Sequence, residues 1–244
     1  MAGGLAEIYA RVLPFARAMP LVAAIPFAAE FAQHIAEIRI GMYAPGGVVT
    51  GDEQKLRLAF GAVKVLAIFL ALLFALRFWA YRGDAGRAAR PTAAMLKGLG
   101  LVLLVQAGGE LLIIALGAGL ARIAGAGPGV TAALTVAPLL LWLLLLTYLL
   151  PWFVALLTED RDMTLRRSID GTEGRLWANF GLLIGSFLPA LALHYALGYA
   201  AMGRAEPVVW AIMLVDSALV AALAILLASA YFTLYRRAAG RLAP

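Results

Sequence analysis

Six apolar stretches, at about residues 13–40, 58–81, 95–123, 132–157, 176–202 and 208–235, leave this chain few ways to fold. Each reaches or exceeds the run of about 20 residues that a helix needs to cross a bilayer at 1.5 Å per residue. In hydrocarbon every backbone N–H and C=O must be satisfied within the chain, and continuous apolar runs do this as helices. The sequence therefore predicts an all-α, polytopic integral membrane protein with six transmembrane helices, in one membrane-embedded domain covering residues 1–244. Composition agrees: 64% of residues are hydrophobic and only 14% charged, which excludes an ordinary soluble domain.

The connections between these runs carry the charge. Arg11, Arg17, Arg82, Arg87, Arg90, Lys97, Arg161, Arg166, Arg167, Arg175, Arg236, Arg237 and Arg241 fall in the N-terminal lead, the loops after helices two and four, and the C-terminus. The other three loops hold Lys55, Arg57, Arg122 and Arg204, with Arg39 ending helix one. Basic residues favour the cytoplasmic side, so both termini are expected there, in a multi-pass protein of the bacterial inner membrane. This pattern accounts for the formal charge of +6 without nucleic acid, and membrane lipids are the expected partners. The lead has no basic n-region, and helix one is read as retained rather than cleaved. Ile8, Tyr9 and Val12 on one side, with Glu7 and Arg11 on the other, predict an amphipathic lead at the interface. Pro14, Pro20 and Pro26 are expected to bend the early part of helix one.

Helix one interrupts its apolar run with Glu30, Gln33, His34 and Glu37, spaced i, i+3, i+4 and i+7 and so on one face. A charge facing lipid costs about 3 kcal/mol or more at mid-membrane, so this face should meet protein or water. Lys64 in helix two, Gln106 and Glu110 in helix three, His194 in helix five and Asp216 in helix six are its candidate neighbours. An ion pair between Glu37 and Lys64 is expected, with all these groups meeting at one depth in a polar cavity that opens outward. Glu30 and Glu110 are least able to snorkel to headgroups. Two readings stand: a site for a substrate, lipid or ion, or interhelical hydrogen bonds that lock a bundle.

Chemistry is thinly marked. The chain has no cysteine, which excludes disulfides and thiolate sites. Gly185-Ser186-Phe187 lacks the Gly-x-Ser-Gly turn of intramembrane serine proteases, and there is no His-Glu-x-x-His, P-loop or dinucleotide fingerprint. With only two histidines, His34 and His194 are weak metal candidates, and no metal or cofactor is expected. A bis-histidine haem would need the two to face each other across a clear cavity. Gly181 with Gly185, and Gly117 with Gly119 and Ala121, offer close helix approaches, expected within the chain rather than between copies.

Residues 164–180 are the most distinctive segment. Leu165 and Ile169 predict a short interfacial helix with Arg166 and Arg167 near lipid headgroups. Gly171 and Gly174 are expected to end it, with Trp177 at the boundary. The run Thr164-Leu165-x-x-Ser168-x-x-x-Thr172-x-Gly174-x-x-Trp177-x-x-Phe180 resembles the membrane domain of bacterial glycerophosphoryl diester phosphodiesterases and of YciC-like six-helix inner-membrane proteins. Tyr235-Arg236 is similar to the ending of those chains. The resemblance implies a six-helix inner-membrane protein and carries no catalysis, because the phosphodiesterase barrel is not in this chain. The functional expectations are three: a non-enzymatic protein that binds or passes a lipid or small solute or serves an envelope complex; a proton- or ion-coupled transporter using Glu30, Glu110 and Asp216; or a membrane-embedded enzyme or metalloprotein using His34 and His194.

Overall fold

The computed structural model describes residues 2–47 and 51–242. Positions 48–50 and residues 1, 243 and 244 lie outside the described residues, as does the side chain of Arg241. The described residues form ten helices and no strand: α1 (Ala2–Ala10), α2 (Val12–Ala18), α3 (Pro20–Arg39), α4 (Gly51–Ala80), α5 (Ala85–Ala88), α6 (Ala93–Ile123), α7 (Pro128–Thr158), α8 (Leu165–Thr172), α9 (Leu176–Ala201) and α10 (Glu206–Leu242). Six of them, α3, α4, α6, α7, α9 and α10, are long and apolar enough to cross a membrane. Leucines such as Leu104, Leu111, Leu112 and Leu140 stand exposed along α6 and α7, a surface suited to acyl chains and not to water.

The first expected span, 13–40, is not one bent helix. It breaks at Met19, whose φ of −131° and ψ of 60° leave the helical region. Met19 precedes Pro20, and a proline ring clashes with a helical residue before it while suiting the first turn of a new helix. The break falls where the proline rule places it, and Pro26 stays inside α3. The lead is also better anchored than an interfacial helix would be. Ile8 is fully buried, Tyr9 donates to the Ser186 carbonyl at 3.1 Å, and Arg11 pairs with Glu7 and reaches Ser229 at 3.4 Å.

The chain packs as two compact units, one of Met1–Ala89 with Leu182–Ala230, the other of Arg90–Gly181 with Tyr231–Pro244. In the first, Phe15 packs edge-on against Phe78 at 5.5 Å and beside Trp79 at 5.7 Å, and Leu72, Leu73 and Leu76 of α4 are buried. Arg77 is buried although charged: its Nε donates to the Ala88 carbonyl at 3.1 Å and its guanidinium lies over Tyr81. The short α5, capped by Asp84 on the Arg87 N–H, brings that carbonyl to it.

In the second unit α6 and α7 form a tight hairpin. A Cβ added to Gly98 would lie 2.7 Å from the Leu156 carbonyl oxygen, and one on Gly117 2.6 Å from that of Leu134, so both positions require glycine for contact. Gly119 has open space and does not share this role. Helix α8 starts on the Thr164 side chain, which accepts from the Arg167 N–H. Ser168 donates to the Tyr148 carbonyl at 2.6 Å and accepts from the Trp152 N–H at 3.1 Å, fastening α8 to α7. Gly171 does not end α8 as expected. It lies inside the helix against the Ala238 backbone of α10, and the turn with positive φ belongs to Gly174.

Candidate functional site

The site lies wholly within the first unit and grows from two helical hairpins. Helix α3 closes on Gly41, whose positive φ of 74° lets the chain reverse. The Met42 N–H then bonds to the Glu37 carbonyl at 3.0 Å and the Gly41 N–H to that of Ile38 at 3.0 Å, a Schellman ending. This reversal folds Tyr43 back over the last turn, where its hydroxyl donates to Glu37 Oε2 at 2.7 Å. The α9–α10 turn is tied to the same place, since the Gly203 N–H donates to the Tyr43 carbonyl at 2.9 Å.

Helices α3 and α4 pack side by side and run antiparallel, and their charges match accordingly. Glu37 Oε1 accepts from Arg57 Nε at 2.9 Å. Seven residues back along α3 and seven forward along α4, Lys64 Nζ lies 2.9 Å from Glu30 Oε2. Seven residues are two helical turns, about 10.5 Å, so both pairs fit one register. The expected Glu37–Lys64 pair is therefore corrected: Glu37 takes Arg57 and Lys64 takes Glu30. Arg57 was counted among loop charges because the apolar run begins after it, yet its spacing from Lys64 equals that of Glu30 from Glu37.

From the second hairpin, Asp216 of α10 reaches both histidines. Its Oδ2 lies 2.9 Å from His34 Nε2, and its oxygens lie 2.8 and 2.9 Å from His194 Nδ1. His34 Nδ1 is 2.9 Å from Glu37 Oε2, and Glu30 Oε1 stands 3.3 Å from His34 Nε2. Glu30, Gln33, His34, Glu37 and Asp216 are all buried. Glu37 accepts from Gln33 at 2.9 Å as well, so its four lone-pair positions meet Gln33, Arg57, His34 and Tyr43. Burial and the adjacent Glu37 carboxylate push the Tyr43 phenol far above its ordinary range, which keeps it a donor.

With the carboxylates ionised, these contacts constrain where the protons sit. An ionised carboxylate only accepts, whereas a neutral imidazole has one donor and one acceptor. His34 faces a carboxylate at each ring nitrogen, so the two bonds together need a proton on both. His194 donates from Nδ1 to Asp216, and its Nε2 meets no partner among the described residues. The Asp216 carboxylate occupies the space between the two rings, so the clear gap that a bis-histidine haem would need is filled. One ligand atom each from Glu30, His194 and Asp216 lies within 4.8 Å of the others, a spacing able to hold a cation.

Beside the network is a cavity of about 310 Å³. Its polar floor is Glu30, Gln33, His34 and Asp216, and Tyr43, Tyr195, Tyr199, Met42 and Met202 line it toward the α3–α4 and α9–α10 turns. Gln33 Oε1 is buried without a donor on this floor. Counting 1.5 Å per residue from the helix ends, Glu30 and Asp216 lie about 14–15 Å inside their helices.

Gln106 and Glu110 belong to the second unit, where Gln106 Nε2 bonds to the buried Tyr231 hydroxyl at 2.7 Å and Glu110 is half-buried. Arg166, Arg167 and Trp177 are exposed; Arg167 donates to the Asp162 carbonyl at 2.8 Å, and Trp177 packs edge-on to Phe180 at 6.3 Å. Comparisons with protein-family models, with curated proteins and with solved structures find no match to this chain.

Proposed function

We propose that this membrane protein is a non-enzymatic solute-binding or solute-passing protein and that the cavity over Asp216 is its binding site. The observation that carries the reading is convergence: three carboxylates, two histidines, Arg57 and Lys64, drawn from α3, α4, α9 and α10, meet beside open volume within membrane-spanning helices. Ionisable groups inside a bilayer are costly, and a scaffold would not need so many of them around a void. The placement of basic residues makes the cytoplasm the side of both termini, which opens the cavity to the outer face of a bacterial inner membrane. The resemblance of residues 164–180 to YciC-like membrane proteins is kept as part of this proposal.

A second reading, a proton- or ion-coupled carrier, is favoured by His34, whose two ring nitrogens each face a carboxylate.

The absence of native cysteine gives a direct test. Gly198 lines the cavity, and a Cβ there meets nothing within 4 Å. Gly198→Cys in intact vesicles should react with a water-soluble maleimide far faster than Leu112→Cys on the apolar surface of α6. Equal, slow reaction at both positions would mean that the cavity is closed to water and solute, and the reading fails.

A further inference from the structure

The network has a charge surplus that specifies what it takes up. Glu30, Glu37 and Asp216 bring three negative charges, and Arg57 and Lys64 bring two positive ones. The remaining titratable groups facing this cluster are His34, His194 and Tyr43, and Tyr43 stays neutral. The set is neutral while one imidazole holds a second proton, and His34, with a carboxylate at each ring nitrogen, is the one placed to hold it. In a low-dielectric site one unit of positive charge must therefore be present, either as that proton or as a monovalent cation in its place. A divalent ion at Glu30, His194 and Asp216 would overshoot, with the Lys64 ammonium already 2.9 Å from Glu30.

The walls narrow the choice of cation. Three tyrosines and two methionines line the approach, surfaces that attract an organic ammonium through ring faces and polarisable sulfur, while a small alkali ion prefers an oxygen cage. The floor offers acceptors for N–H donors: the Glu30 and Asp216 carboxylates and the orphaned Gln33 Oε1, on a side chain only 6% exposed. The cavity volume of about 310 Å³ suits an amine of several heavy atoms.

We propose that the cavity binds a small primary ammonium ion, and that its entry displaces one proton from the His34–Asp216 pair. This deepens the solute-binding reading and rests on it. The exchange balances: one R–NH3⁺ enters, His34 becomes neutral, one H⁺ leaves, and the net charge is unchanged.

The experiment is calorimetric titration of the purified protein with n-butylammonium chloride, repeated in two buffers of different ionisation enthalpy and at several pH values, with sodium chloride as the parallel arm. The expected result is about one proton released per amine bound, and an affinity that rises up to tenfold per pH unit across the range of exchange. His34→Gln keeps the surplus negative charge without a titratable ring, so it should still bind amine but without proton release or pH dependence. Asp216→Asn should lose binding at least tenfold. Amine binding by the wild type without proton release overturns the exchange, and this arm needs no variant to fold. Sodium binding in place of amine overturns the ligand class. No cation binding by a protein whose Gly198→Cys variant reacts readily overturns the inference while leaving the solute-binding reading in place. An unreactive Gly198→Cys sinks that reading itself.

Discussion

The two units treat intramembrane polar residues in opposite ways. In the first, Glu30, Gln33, His34 and Glu37 meet Arg57, Lys64, His194 and Asp216, and nearly every acceptor finds a charged or polar donor. In the second, Gln106 and Glu110 share a face of α6 at i, i+4, the same spacing as Glu30 and His34. Among the described residues Gln106 bonds to a tyrosine hydroxyl, and α6 and α7 approach closely at Gly98 and Gly117. The lesson is that a polar residue in a membrane helix marks a site only where residues of opposite charge face it. A lone neutral hydrogen bond is ordinary bundle chemistry.

The contrast is most exposed to Glu37→Ala. This removes one acceptor from Gln33, His34, Tyr43 and Arg57 together and leaves Arg57 without its carboxylate. A loss of about 3–5 kcal/mol is expected, as for breaking a buried ion pair, and would be read by reversible unfolding in detergent. A loss below about 1 kcal/mol would show that the network is not an integrated unit. Gln106→Leu, the matching change in the second unit, should cost only about 0.6–1.7 kcal/mol, the range of a single interhelical hydrogen bond. If the two substitutions cost the same, the distinction between the units collapses.

Tyr43→Phe sharpens the comparison at its edge. It removes the hydrogen bond to Glu37 and the 3.2 Å contact with His34 Nδ1, together expected to be worth about 1 kcal/mol at neutral pH. The native phenol is pushed upward, so it keeps its proton where the unfolded chain, with an ordinary value near 10, gives it up. Its contribution is therefore full below about pH 10 and fades as the pH rises toward the native value. The wild type should lose its advantage over Tyr43→Phe between pH 9 and 11, and a constant difference over that interval would break the assignment.

Much of this was legible in the chain itself. The i, i+3, i+4, i+7 stripe on α3 named four members of the site, because helical periodicity converts spacing into a shared face without further information. Lys64, His194 and Asp216 were visible for a different reason, the cost of charge in an apolar run. Arg57 was missed because it precedes the apolar stretch of α4, and Tyr43 because its place depends on the reversal at Gly41.

Sequence alone determined that the chain is helical, that it has six apolar runs able to cross a membrane, and that one face of α3 is polar, since length, hydropathy and period are local properties. Which carboxylate pairs with which cation was decided only by tertiary structure, through the antiparallel register of α3 and α4. The same holds for Asp216 between two histidines from separate helices. Pairing between helices depends on crossing and rotation, and a hydrogen bond formed across 182 residues leaves no local trace in the chain.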